Sequence, residues 1–135
     1  MAVNRFRRTR EAHALETAQD YVEMVEALIR EFGEARAVDL AERLGVSPVT
    51  VSKTVCRLCR DGYLTKVPYR SVFLTPKGAA LAEESRKRHE VVLRFLLALG
   101  VPPEVAEEDA EGIEHHVSAD TLLAMDRFVQ KSKGR

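Results

Sequence analysis

Apolar residues recur with helical spacing between Ala14 and Phe32. Leu15, Val22, Val25, Leu28, Ile29 and Phe32 form one stripe, and Gly33 supplies a stop. A second, shorter helix is expected over Ala37 to Leu44, with Val38, Leu40, Ala41 and Leu44 turned inward. Gly45 permits a tight turn, and Ser47-Pro48 restarts a helix, because serine caps orphan amides and proline is tolerated at the first helical position. This third helix runs to about Asp61, burying Val51, Val55 and Leu58, and Gly62 closes it. Two β-like runs follow, Leu64 to Val67 and Val72 to Thr75, and the intervening Pro68-Tyr69-Arg70-Ser71 predicts a hairpin. Thr75-Pro76 repeats the cap-plus-proline start and opens a long helix to about Leu99, which Gly100 and Pro102-Pro103 break. Two further helices are expected, one over about Pro103 to His116 and one from a Ser118 cap to about Gln130.

Helix, helix, turn, helix, hairpin is the order of a winged helix-turn-helix, so the fold class is mainly α with a winged N-terminal domain. The expected organisation is a basic, mobile tail over 1–13, the winged domain over 14–76 and a helical domain over 77–135. With 135 residues, 45% hydrophobic and 31% charged, the composition is that of a globular chain and excludes disorder as the main state. The greasiest stretch, Val91 to Val101, is interrupted by Arg94 and falls far short of the roughly 18 apolar residues of a membrane span. Met1 to Arg10 carries four arginines with no apolar core behind them, which argues against a secretory signal. Cys56 and Cys59 are too few for a disulfide scaffold, and a cytoplasmic location is expected.

The net charge is zero, but its distribution is uneven. Between Arg43 and Lys77 stand seven basic residues and one acid, Asp61; between Val101 and His116 stand six acids and no lysine or arginine. The basic segment suits phosphates. In a winged helix the third helix would enter the major groove with Ser47, Pro48, Thr50 and Val51 nearest the bases. Lys53, Arg57 and Lys66 would meet phosphates, and Arg70 at the hairpin tip would meet phosphates or a narrow minor groove.

The acidic segment suits cations. Glu111, Glu114 and His115 stand at i, i+3 and i+4 of a helix and share one face, apart from Ala106, Ala110 and Ile113; Glu104, Glu107 and Glu108 fall on the same polar side. Like charges at this spacing cost a few tenths of a kcal/mol per pair, which a divalent cation would reverse. A solvated acidic face is the competing reading. Asp20 and Glu23 lie opposite the apolar stripe of the first helix, and His89 sits among Arg86, Lys87, Arg88 and Glu90; spacing alone does not bring these helices together. Cys56 and Cys59, mid-helix with no second pair, read as small core or boundary residues, and Met24 reads as packing. The dense run from Leu93 to Leu99 suits a helix buried both in its own domain and in a dimer seam. A carboxylate-bridged dimetal enzyme is conceivable, but no nucleophile motif or Gly-rich phosphate loop accompanies the acids, and no enzyme activity is expected.

Four pieces of the chain carry a family resemblance: Asp20-Tyr21-Val22-Glu23, Arg70-Ser71-Val72-Phe73-Leu74-Thr75, Arg88-His89-Glu90, and Glu111-Gly112-Ile113-Glu114-His115-His116-Val117-Ser118. From Asp20 to Val129 the sequence resembles the manganese-responsive branch of the diphtheria-toxin-repressor family, the manganese transport regulators. The resemblance implies a homodimeric repressor of manganese homeostasis genes. Winged helices would bind inverted-repeat operator DNA, and a C-terminal helical domain would bind metal and dimerise. It implies a binuclear site between the domains, two Mn(II) per subunit, held by Asp20, Glu23, His89, Glu111, Glu114 and His115, none of which is substituted here. No organic cofactor and no membrane partner are implied.

The basic N-terminal extension is not part of the shared pattern, and the run to Arg135 leaves no room for the SH3-like third domain of longer iron-type members. Regulation through such a domain is therefore not expected. In those iron-type relatives a thioether and a thiol stand at the positions of Asp20 and Glu111. Carboxylates here point to manganese, which prefers oxygen donors. Four carboxylates balance two divalent cations, whereas in the empty site two of them about 5 Å apart would repel by roughly 3 kcal/mol at an effective dielectric near 20. An iron- or zinc-responsive repressor of the same family is the nearest alternative reading, followed by a winged-helix regulator answering to a non-metal signal.

Overall fold

The computed structural model describes residues 2–68 and 71–133, with side chains from residue 9 onward. Among the described residues there are six helices and one two-stranded sheet: α1 (Ala2–Phe32), α2 (Ala37–Leu44), α3 (Pro48–Arg60), β1 (Leu64–Lys66), β2 (Val72–Leu74), α4 (Pro76–Ala98), α5 (Pro103–Ile113) and α6 (Ala119–Lys133). Among the described residues, no helix is long and apolar enough to cross a membrane. The chain divides into two units, His13–Glu83 and a second made of Met1–Ala12 with Glu84–Arg135. The expected basic tail is helical from Ala2, because arginine, glutamate and alanine are strong helix formers and neither glycine nor proline separates them from the apolar stripe.

In the unit His13–Glu83, the stripe of α1 is buried at Ala18, Tyr21, Val22, Val25 and Leu28, the i, i+3, i+4 recurrence of an inward face. Leu15 and Phe32, at the two ends of that stripe, stay exposed, and the Arg43 guanidinium lies 5.5 Å over the Phe32 ring. Val38 is also exposed, because it lies roughly 160° round α2 from Leu40 and roughly 120° from Leu44. Gly45 ends α2 in the left-handed region at φ +68°, returning its amide to the carbonyls of Ala41 and Glu42. Ser47 then caps α3, its side-chain oxygen accepting from the Thr50 amide at 3.1 Å, with Pro48 as the first helical residue.

The hairpin pairs Leu64 with Leu74, Thr65 with Phe73 and Lys66 with Val72, antiparallel. Val72 also donates its amide to the Ala35 carbonyl at 2.8 Å, tying the wing to the segment before α2. The start of α4 belongs with this unit, since Leu81 and Ala82 join its core. Thr75 caps α4 by accepting from the Gly78 amide at 3.0 Å, and its hydroxyl contacts the carbonyls of Gly62 and Tyr63. A Cβ at position 78 would overlap the Tyr63 carbonyl, so this close approach requires glycine.

In the other unit, Val92 of α4 and Ala106 and Ala110 of α5 are fully buried. Phe95 of α4 meets Phe128 of α6 edge to face, ring centres 5.4 Å apart. The fifth helix stops at Ile113, short of the expected His116, so His115 and His116 lie in the turn that leads to Ser118. Ser118 caps α6, accepting from the Thr121 amide at 3.2 Å, and that helix runs past Gln130 to Lys133.

Candidate metal centre and nucleic-acid interface

Four of the six proposed metal ligands lie in the unit containing α5. His89, Glu111 and Glu114 converge there, with one ligating atom from each within 4.8 Å of the others. The His89 Nδ1 atom stands 3.0 Å from Glu114 Oε2 and 3.5 Å from Glu111 Oε1. It is buried and makes no hydrogen bond. On the other edge of the ring, His89 Nε2 and Glu107 Oε2 are hydrogen-bonded at 3.0 Å. Burial alone would lower the His89 pKa. The hydrogen bond to Glu107 and the charges of Glu114, Glu111 and Glu107 outweigh it, and the imidazole is held above its ordinary value.

Glu114 corrects the expectation of a polar face apart from the packing face: its side chain is 1% exposed, while Glu111 on the same helix is 63% exposed. Glu114, the C-cap of α5, keeps helical backbone angles and continues the buried strip of Ala106 and Ala110 at i+4 and i+8. The His115 side chain is almost wholly covered, its Nε2 3.4 Å from Glu114 Oε1. Arg88 holds this turn from α4, donating from Nε to the Glu114 carbonyl at 3.0 Å and from Nη2 to the Val117 carbonyl at 2.6 Å. A buried imidazole nitrogen with no hydrogen bond, facing two carboxylates, fits a divalent cation. Oxygen and imidazole donors without sulfur fit Mn(II) in particular. Asp20 and Glu23 belong to the other unit, where both are half-buried on α1. Sequence reasoning singled out neither Glu107 nor Arg88 as functional; the spacing of Glu107 from Glu111 and Glu114, at i, i+4 and i+7, is the signal that would have found the first.

The nucleic-acid candidates are arranged around α3. Ser47, Pro48, Thr50, Lys53, Arg57 and Lys66 are exposed, as reading a duplex requires. Val51 is not. It is fully buried, since Val51, Val55 and Leu58 form the inward face of α3, so it supports the helix from within and cannot face bases. Arg70 lies outside the described residues. Cys56 is exposed rather than a core or boundary residue, and burial pushes the half-buried Cys59 thiol up, with Cys56 adding to the shift. Both line an open groove of about 820 Å³ with Ser52, Lys53, Arg60 and Lys66, which adds Arg60 and Ser52 to the basic face. Met24 packs against the core, as expected.

Two family models match almost end to end. Residues 13–72 match the iron-dependent repressor N-terminal DNA-binding domain, and residues 75–134 match the iron-dependent repressor metal-binding and dimerisation domain. Transcriptional regulator MntR of Escherichia coli O6:H1 is 57% identical over 129 residues, 96% of this chain and 83% of that protein. HTH-type transcriptional regulator MntR of Bacillus pumilus is 42% identical over 112 residues, 83% of this chain and 78% of that protein. Among solved structures, a manganese-dependent transcriptional repressor in complex with manganese superposes with a TM-score of 0.73 at 29% identity over 84% of this chain. The manganese regulator SloR gives 0.72 at 26% identity over the same share. This chain spans about half the length of each, 52% and 53%. These are transcriptional regulators, not enzymes, and the chain belongs to the iron-dependent, diphtheria-toxin-repressor family of transcriptional regulators, in its MntR branch.

Proposed function

We propose that this chain is a Mn(II)-responsive repressor of manganese homeostasis genes, acting as a homodimer on an inverted-repeat operator with two Mn(II) per subunit. The observation that carries this reading is the sulfur-free convergence of His89, Glu111 and Glu114 around an imidazole nitrogen that has no hydrogen bond. His115, Asp20 and Glu23 are the remaining proposed ligands. The bound cations would supply positive charge that offsets the repulsion among these carboxylates. Every donor in the set is oxygen or imidazole, which favours manganese over the iron named in the family models.

The DNA half of the proposal rests on the exposed basic face of α3 and β1. Ser47, Pro48 and Thr50 would approach base edges, while Lys53, Arg57, Arg60 and Lys66 neutralise phosphates. The homodimer is supported by large apolar side chains left exposed in the second unit, Leu97 and Leu99 after the buried part of α4 and Leu123 and Phe128 on α6. Because the proposed ligand set is drawn from both units, metal affinity and DNA affinity are linked and must rise together.

An operator-binding titration with and without Mn(II) tests the reading. Mn(II) should tighten binding at least about tenfold, roughly 1.4 kcal/mol of coupling. Because Glu114 is buried, Glu114→Gln, which keeps its shape, is the suitable ligand knockout; it should remove the response. A full Mn(II) response in that variant would overturn the site assignment, and a footprint over a single unpaired half-site would overturn the dimer on an inverted repeat.

A further inference from the structure

We propose that Glu107 is a positioning residue for the metal site: it fixes the His89 ring so that Nδ1 is presented to the cation that Glu111 and Glu114 would hold. The inference deepens the proposed function and rests on its ligand assignment. Glu107, Glu111 and Glu114 lie at i, i+4 and i+7 of α5, so all three address His89 from one side of the helix. They address different edges of the ring. Glu111 and Glu114 stand at Nδ1, at 3.5 and 3.0 Å, whereas Glu107 Oε2 stands at Nε2, at 3.0 Å.

A neutral imidazole carries one proton, and the nitrogen without it is the one able to ligate. A carboxylate at Nε2 holds the proton there as Nε2–H donating to Oε2. Nδ1 is left to offer its lone pair to a cation held by the other two acids. Glu107 therefore fixes the ring orientation before metal arrives, and keeps the proton on Nε2 once a cation takes the Nδ1 lone pair. It stands outside the group of convergent ligating atoms, because a cation on Nδ1 is at the opposite edge of the ring from Glu107 Oε2. Outer carboxylates of this kind raise the basicity of the ligating histidine, and their loss costs about 10- to 100-fold in metal affinity. Glu107 is largely exposed, its side chain 59% accessible, so little of the fold depends on it.

The experiment is a Mn(II) titration of the full chain, following the electron paramagnetic resonance of free aqueous Mn(II), on the parent, Glu107→Ala, Glu107→Gln and Glu114→Gln. The glutamine amide oxygen still accepts from Nε2–H, and solvent screening limits the effect of the lost exposed charge. Glu107→Ala should bind Mn(II) about tenfold or more weakly, with Glu107→Gln within about threefold of the parent. With diamagnetic Zn(II) bound, the His89 Nε2–H proton, assigned by its loss in His89→Gln, should be shifted downfield and slow to exchange in the parent and Glu107→Gln and quick to exchange in Glu107→Ala. A purely structural role would not move that signature. Parent-like binding by Glu107→Ala overturns the proposal. So does Glu107→Gln as weak as Glu107→Ala, which would make Glu107 a ligand or a needed charge. Parent-like binding by Glu114→Gln would instead overturn the ligand assignment itself.

Discussion

Arg88 is the residue whose removal best tests how the α5–α6 turn is held. One edge of its guanidinium bridges the carbonyls of Glu114 and Val117, so a single side chain on α4 fastens the turn that carries His115. The Glu114 carbonyl is among those left orphaned at the end of α5, where a cation is also favoured by the helix dipole. Hydrogen bonds from charged donors contribute about 1.5–3 kcal/mol each, which gives a ceiling near 3–6 kcal/mol for the pair. Arg88 is half-buried, and water replaces part of what is lost, so Arg88→Met should weaken the turn by about 2 kcal/mol. Methionine keeps the apolar stem and isolates the loss of the guanidinium. Since 1.4 kcal/mol is a factor of ten, amide hydrogen exchange in residues 110–122 should quicken about 30-fold, with helical circular dichroism unchanged. Arg88→Lys should fall between, because an ammonium reaches one carbonyl but lacks the planar edge that spans both. Exchange within about threefold of the parent in Arg88→Met would refute this account.

Two further outcomes follow from the ligand chemistry. Asp20→Met exchanges a hard, bridging carboxylate for an uncharged thioether; the variant should retain some operator binding with Fe(II) or Co(II) but need far more Mn(II) for a half-maximal response. An unchanged ratio of Mn(II) to Fe(II) half-points, measured anaerobically, would sink the role assigned to Asp20. The His89 pKa in the metal-free protein is raised above its unfolded value, so protonated His89 contributes stability below about pH 6.5 that is lost as pH climbs through the folded pKa. Mn(II) competes with that proton, and Mn(II) affinity should rise over the same interval while the stability of the metal-free protein falls. A pH-independent Mn(II) affinity in direct titrations across that interval would contradict it.

Much of the winged helix was legible because its signals are local. The Gly45 turn, the Ser47-Pro48 and Thr75-Pro76 starts and the Ser118 cap each act over three or four residues, and the structure realises each within a residue or two. Helical period likewise foretold the burial of Val22, Val25 and Leu28. Period alone misjudged Leu15, Phe32 and Val38, since whether an apolar stripe is covered depends on where neighbouring elements begin and end. Placing Val51 among the base-reading residues conflicted with its own inward period, and burial resolved the conflict.

The metal site divides in the same way. Donor type was set by sequence: carboxylates and imidazoles without sulfur, at spacings that one helix can display. Which donors meet was decided by the approach of α4 to α5, a contact between residues 18–25 positions apart that no helical period encodes. That approach aligned Glu107 and Glu114 with opposite edges of His89. Glu114 keeps helical backbone angles and follows the buried Ala106 and Ala110 at i+4 and i+8, so it lies at the edge of the packed strip, and only the tertiary structure decided that this edge would be covered. Arg88 became the clasp of the α5–α6 turn for the same reason: its partners are backbone carbonyls, present at every residue and distinguished only once a helix stops.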